Sequence, residues 1–169
     1  MAVRIQKGNE GIDFDLVARI LSEAGLSDLD GATQEKVFTR SYATAYALDE
    51  GEVVGCARAL SDGICQSAIF NVALKEAYQG RQLGRALIDA LLEELQGTNV
   101  ILYTHPKTVA FYEKLGFRRQ KTGFVCYDRQ QSAEELKWLE DTGFLLPIGY
   151  RYPDDEALLY DSRGNLREG

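Results

Sequence analysis

The stretch that most constrains this chain is Val72-Ala73-Leu74-Lys75-Glu76-Ala77-Tyr78-Gln79-Gly80-Arg81-Gln82-Leu83-Gly84-Arg85-Ala86-Leu87. An apolar strand enters a loop with two glycines, and the loop feeds directly into a helix. Leu83, Leu87, Ile88, Leu91, Leu92 and Leu95 then recur at helical spacing up to Gly97. The first amides of such a helix lack partners within it and sit at the positive end of its dipole, so the turn suits a phosphate or pyrophosphate. Gly80 and Gly84 let backbone approach a ligand with no Cβ in the way, and Arg81 and Arg85 add cations. A helix start with convenient glycines is the plainer reading of the same residues. Two better-known phosphate loops are excluded. No Gly-Lys-Ser/Thr follows, and glycines four apart do not make the Gly-x-Gly-x-x-Gly fingerprint.

The rest of the chain supplies a sheet for this unit. Val3 to Gln6 alternates as a strand, and Asp13 to Leu21 carries a helical stripe of Leu16, Val17, Ile20 and Leu21. A second short helix is expected over Thr33 to Arg40 with Thr33 as its N-cap. Tyr42 to Leu48 and Val53 to Leu60 read as a hairpin turning at Asp49-Glu50-Gly51-Glu52, with Cys65 to Leu74 a third antiparallel member. Val100 to Tyr103 reads as a buried strand, Thr108 to Leu115 as a short helix stopped by Gly116, and Phe117 to Arg119 and Phe124 to Tyr127 as strands closing the sheet. This is a mixed α/β architecture.

Composition narrows the function. Nineteen basic and 26 acidic residues leave a net charge of −7, which argues against nucleic acid, whose phosphates favour a basic face. No apolar run is long enough to span a membrane, and the first residues carry no apolar stretch of secretory length, so a cytoplasmic protein is expected. Cys56, Cys65 and Cys126 form no CxxC pair, and with His105 as the single histidine no metal site is expected. All three cysteines lie in apolar contexts as small hydrophobes. An acyl-cysteine mechanism would need His105 as partner and is the lesser reading.

Tyr78-Gln79-Gly80-Arg81-Gln82-Leu83-Gly84-Arg85-Ala86-Leu87 resembles the acetyl-CoA loop of the GNAT superfamily of N-acetyltransferases, Gln/Arg-x-x-Gly-x-Gly/Ala. Ala110-Phe111-Tyr112-Glu113-Lys114-Leu115-Gly116-Phe117 resembles that superfamily's second signature, Phe-Tyr-x-Lys-x-Gly-Phe. The resemblance implies a mostly antiparallel central sheet, splayed between its fourth and fifth strands and flanked by helices. It implies acetyl-CoA as cosubstrate, with Val72, Ala73 and Leu74 along the pantetheine arm. Gln79, Gly80, Arg81, Gln82, Leu83, Gly84 and Arg85 would hold the pyrophosphate, and Phe111 joins the cofactor-binding set. Two departures stand out: either the first motif glycine falls on Gln82 or the register slips to Arg81-x-x-Gly84-x-Ala86, and Pro106 stands where an asparagine is often found.

The resemblance also assigns chemistry. Tyr112 matches the tyrosine that protonates the departing sulfur, and a backbone N–H of the splayed strand serves the oxyanion. Asn71 occupies the usual position of a strand carboxylate; it cannot accept a proton at neutral pH but can order a water. His105 precedes the tyrosine helix and is a candidate proton shuttle, with Asp62 and Glu113 as further base candidates. The expected reaction is acetyl transfer to a primary amine of a small molecule by direct attack in a ternary complex. The acceptor groove is implied near residues 14–42, where Asp28, Asp30, Glu35, Phe14 and Phe38 suggest a cationic or aromatic amine. Alternatives are a non-catalytic acyl-CoA-binding module, or acetylation of a protein lysine or N-terminus.

Residues 1–128 are expected to form the acetyltransferase domain and 129–169 an extension. The extension holds five basic and nine acidic residues, and Ser132 with Glu135 signals a helix through Leu139. An extended stretch is expected over Leu145 to Tyr152. Trp138, Phe144, Tyr150, Tyr152 and Leu158 need cover, which implies packing on the domain or on the partner of a homodimer.

Overall fold

Alternation in the first half of the chain becomes four antiparallel strands laid down in sequence order: β1 (Arg4–Lys7), β2 (Ala43–Asp49), β3 (Glu52–Ser61) and β4 (Gln66–Leu74). A fifth, β5 (Asn99–Ile101), joins the β4 edge in parallel. The structure is a computed structural model that describes residues 3–120, 123–127 and 132–153. These fall into two compact units, one ending at Tyr103 and one beginning at Thr104. The expected boundary after residue 128 lies outside the described residues.

The hairpin between β2 and β3 closes through Glu50 and Gly51, both at positive φ (50° and 93°), the two-residue turn whose twist matches a strand pair. Its register sorts side chains by size. Ala43, Ala45 and Ala47 pair with Ala59, Ala57 and Gly55. The large residues Tyr46, Leu48 and Cys56 face the other way, into a core with Val17, Ile20 and Leu21 of α1 (Phe14–Glu23) and Phe38 of α2 (Gly31–Thr39). The small face accommodates α3 (Leu83–Glu94), which packs on β2, β3 and β4 and buries Leu87, Ile88 and Leu91. Each such side chain contributes about 1.5–3 kcal/mol on burial. Within the large-residue core the Phe38 and Tyr46 rings lie 5.8 Å apart, and Tyr46 donates its hydroxyl to Asn9 Oδ1 at 2.7 Å.

Helix starts follow capping chemistry. Asp13 caps α1, and Asp30, rather than Thr33, caps α2: its Oδ1 accepts the Thr33 N–H at 2.8 Å. The chain enters the helix three residues earlier than expected, because a carboxylate stands ready to take the first free amides.

The unit from Thr104 on carries a tight helical turn (Pro106–Thr108), α4 (Val109–Lys114) and α5 (Ala133–Asp141). Ser132 and Glu135 form the expected reciprocal cap of α5, at 2.7 and 3.2 Å. Three strand expectations fail. Neither 117–119 nor 124–127 is a strand, and Phe124 is fully exposed, so apolar content there is not sheet content. Residues 145–152 contain a turn, with Tyr150 N–H bonded to Pro147 O at 2.9 Å, because the proline removes a ladder donor. The expected strand from Val100 to Tyr103 is three residues long and an edge, with Ile101 55% exposed, so it is not a buried strand.

Candidate active site

The pairing of β4 with β5 covers only Gln66, Ser67 and Ala68 against Asn99, Val100 and Ile101. From Ile69 to Leu74, β4 is paired on the β3 side alone. This is the splay expected between the fourth and fifth strands. Lys75 donates its N–H to Val54 O on the β3 side at 2.9 Å, so alternation turns the N–H of Leu74 to the open side. The open edge is broken by a bulge: Asn71 and Val72 together oppose Ala57, and Asn71 takes the left-handed region at φ 55°. Asparagine tolerates that conformation better than most side chains, which suits it to the position.

Beyond Leu74 the chain makes one tight turn (Glu76–Tyr78) and enters α3 through Gln79 to Gln82. Gly80 sits at φ 74° with open space where a Cβ would be. Gln82 is left-handed too, at φ 61°, and stands at the N-cap of α3. The replaced motif glycine therefore keeps a glycine-like backbone, at a strain of about 1 kcal/mol for a residue with a Cβ. The first helical bond is Ala86 N–H to Gln82 O at 3.0 Å, which leaves the amides of Leu83, Gly84 and Arg85 without a helical partner.

The loop is tied down from one side. Tyr78 donates its hydroxyl to Asp49 Oδ2 at 2.7 Å, joining the loop to the end of β2, and this bond pushes the phenol's pKa up. The Arg81 guanidinium lies over the Tyr78 ring, 5.1 Å from its centre, and makes no ion pair among the described residues; Arg85 is shared with Asp89 at 3.4 Å. Open backbone amides, an open strand edge and an unpaired cation fit a ligand with a pyrophosphate and an amide-bearing arm.

Beside the bulge lies a residue the sequence did not single out. Arg58 on β3 donates its Nε to Asn71 Oδ1 at 2.6 Å, and its guanidinium covers the Phe70 ring at 5.0 Å. Burial lowers the pKa of Arg58 from its ordinary value. The bond takes up the Asn71 carbonyl oxygen and leaves its NH₂ as the end able to hold a water. Asp62 drops out as a base. Its carboxylate accepts the N–H groups of Ile64, Cys65 and Gln66 and is held well below the usual carboxylate range. Cys56 is buried, its thiol pushed up to about 12 by burial and directed at Asn71 O, so it is no nucleophile at neutral pH.

The remaining candidates stand in the unit from Thr104 on. Tyr112 closes the last turn of α4. Gly116 at φ 90° and Phe117 follow, and their N–H groups return to Glu113 O and Tyr112 O at 3.0 and 3.1 Å. These two bonds form a Schellman stop. The rings of Phe111 and Phe117 meet that of Tyr112 edge-on at 5.0 and 5.8 Å. Phe111 is thus part of the Tyr112 packing, and the motif Phe-Tyr-x-Lys-x-Gly-Phe is a device for holding one phenol. Burial raises the Tyr112 pKa, the Thr104 side chain opposing. His105 caps the turn before α4: its Nδ1 accepts the Lys107 N–H at 3.0 Å and its ring meets Phe144 edge-on at 4.9 Å. In the neutral ring that bond uses the one free lone pair, so the imidazole is placed as a cap.

Residues 40–119 match the family described as the acetyltransferase (GNAT) domain. That segment carries the likeness to the GNAT superfamily. Over 118 residues it is 29% identical to GCN5-related N-acetyltransferase 1, chloroplastic, of Arabidopsis thaliana, covering 67% of this chain and 60% of that protein. Over 70 residues it is 39% identical to Serotonin N-acetyltransferase 2, chloroplastic, of Oryza sativa subsp. japonica, covering 40% and 35%. The chain thus spans between about a third and three-fifths of the length of these curated relatives. The GNAT fold is shared with a GNAT-family acetyltransferase of Streptococcus pneumoniae, at TM-score 0.66 and 24% identity, covering 76% of this chain and 100% of that one. Asn71, Val72, Ala73, Leu74 and Gln79 to Arg85 are brought onto one GNAT strand–loop–helix, whereas His105, Phe111 and Tyr112 belong to the second unit. Register, not motif, is the signal that finds Arg58, since it is the direct partner of Phe70 across the β3–β4 pair.

Proposed function

We propose that the chain moves an acetyl group from acetyl-CoA to the primary amine of a small molecule by direct attack in a ternary complex. The observation that carries this reading is the open edge of β4 running into unpartnered amides at the start of α3, within the segment that carries the likeness to the GNAT superfamily. Acetyl-CoA supplies, when bound, a thioester whose carbonyl carbon an amine can attack. Leu74 and Val72 hold the pantetheine arm through their backbone, and Gln79 to Arg85 hold the pyrophosphate, Arg81 adding its free charge. An N–H of the open strand edge meets the charge that develops on the carbonyl oxygen.

Tyr112 gives its phenolic proton to the sulfur as it leaves. Its raised pKa keeps that proton in place at neutral pH. No carboxylate on β4 takes the amine's proton, so a water held by the Asn71 NH₂ carries it off. The test is thiol release from acetyl-CoA against a panel of amines, a lysine peptide and a peptide N-terminus, with acetyl-CoA binding measured in parallel. Turnover on small amines upholds the reading, and turnover on the peptides alone moves the acceptor to protein. Binding without turnover on any acceptor overturns it in favour of a non-catalytic acyl-CoA-binding module.

A further inference from the structure

Arg58 is an anomaly of charge. The chain carries 26 acidic against 19 basic residues, yet among the described residues this half-buried guanidinium makes no ion pair with a carboxylate. Two of its five N–H groups have partners: Nε donates to Asn71 Oδ1 at 2.6 Å, and Nη1 reaches Ser41 Oγ at 3.5 Å. Nη2 has no partner among the described residues, where no fully buried side-chain nitrogen lacks one, so it is not sealed from solvent. The fork is held rigidly. Phe70 lies under it at 5.0 Å and is itself met edge-on by Tyr103 at 5.9 Å, while Ser41 is fixed by donating to Val37 O at 2.9 Å. A planar, oriented, partly desolvated guanidinium with two free N–H groups on one nitrogen is the arrangement that recognises an anionic oxygen pair.

Its position adds a second argument. Arg58 pairs across the sheet with Thr44 and Phe70 and shares the face that carries Tyr46 and Cys56, on which α1 and α2 pack. Asn71, its partner, is the bulged residue inside the open stretch of β4. An anion on Arg58 therefore lies beside the strand edge assigned to the thioester, within the reach of one small molecule. Asn71 acts through this contact as a positioning residue.

We propose that Arg58 binds a carboxylate or phosphate of the acceptor, so that the preferred amine also carries an anionic group. This rests on the acetyl-transfer reading and narrows its acceptor. It opposes the cationic amine suggested by the carboxylates of residues 14–42, because a fixed fork at close range outweighs exposed charges that water screens.

The test compares matched acceptors: tryptophan with tryptamine, and O-phosphoethanolamine with ethanolamine. Thiol release gives kcat/KM for each, and calorimetry without acetyl-CoA gives the affinity for tryptophan. The wild-type chain is expected to favour the anionic member of a pair. In Arg58→Gln that preference should fall about tenfold to a hundredfold, the effect residing in KM, with tryptophan affinity falling alongside. Arg58→Lys keeps the charge but not the fork and should give an intermediate preference; it carries the test if Arg58→Gln fails to fold. Preference for tryptophan alone names a carboxylate, and for O-phosphoethanolamine alone a phosphate. If turnover occurs but the preference is absent, or survives both substitutions, Arg58 is only a brace for the bulge and the proposal falls. If no amine is turned over while tryptophan binding is lost in Arg58→Gln, the anion site stands and the acetyl-transfer reading fails.

Discussion

Phe117 donates its N–H to the carbonyl of Tyr112 at 3.1 Å and sets its ring edge-on against the phenol at 5.8 Å. One residue thereby ends the helix and fixes the side chain assigned to proton donation. Both contacts depend on Gly116, whose φ of 90° lets the chain turn back. A Cβ there would meet nothing within 4 Å, so substitution tests the backbone alone. Gly116→Ala should cost about 1 kcal/mol in stability. It should also lower kcat more than acetyl-CoA affinity, since the phenol loses its support. Thermal unfolding and steady-state kinetics on the same preparation check both halves.

Gly84→Asp separates helix formation from ligand binding by sign. A carboxylate in the first turn of α3 is favourable to the helix and improves on glycine there, so stability should hold or rise by roughly 0.3–1 kcal/mol. The same carboxylate faces the place assigned to the pyrophosphate, where like charge repels. Acetyl-CoA affinity by calorimetry should fall by an order of magnitude or more while the melting temperature does not. Unchanged affinity removes the loop assignment.

Much of this was legible in the sequence because it is local. Glycines and leucines mark the loop and α3, Ser132 and Glu135 mark α5, and Glu50-Gly51 marks the hairpin. What escaped is set by register or by competition between similar signals. Asp30 and Thr33 are both good N-caps, and only the packed helix shows which one is used. The Arg58–Asn71 pair exists because a bulge shifts β4 by one residue against β3, which no period in the sequence encodes. Residues 117–119 and 124–127 have strand-like content yet form no strand, because aromatic and β-branched side chains alone do not create a pairing partner.

Cys56 should behave unlike its two counterparts. Cys65 and Cys126 are exposed, so a thiol reagent at pH 8 should label two sites in the native protein and the third only after denaturation. The thiol of Cys56, pushed up to about 12, also gives stability a pH dependence. Folded, it keeps its proton; unfolded, it ionises near its ordinary value of about 8.5. The folded value is the higher one, so the contribution is fully present below about pH 8.5 and is lost as pH rises toward 12. The loss approaches about 1.4 kcal/mol per pH unit, and between pH 9 and 10 it precedes ionisation of tyrosine in the unfolded chain. Denaturant midpoints across pH 7 to 10.5 should flatten in Cys56→Ala. A slope that persists in this variant assigns the effect to other groups.

Tyr112→Phe tests the chemistry itself. The substitution removes one hydroxyl and leaves a ring that still meets Phe111 and Phe117, so the fold and acetyl-CoA affinity should stay close to wild type. Without the phenol the sulfur must leave unprotonated or take its proton from water, and general acids of this kind contribute about 10²–10⁴-fold. The expected result is a fall of that order in kcat with little change in the Kd of acetyl-CoA. The pH profile gives an independent reading. Burial raises the Tyr112 pKa above its ordinary value of about 10, so the acid stays protonated past that pH and its alkaline limb should begin above it. Any limb seen at lower pH belongs to another group and should persist in the variant. If kcat survives while the melting temperature drops, Tyr112 is a packing residue, and the proton comes from solvent.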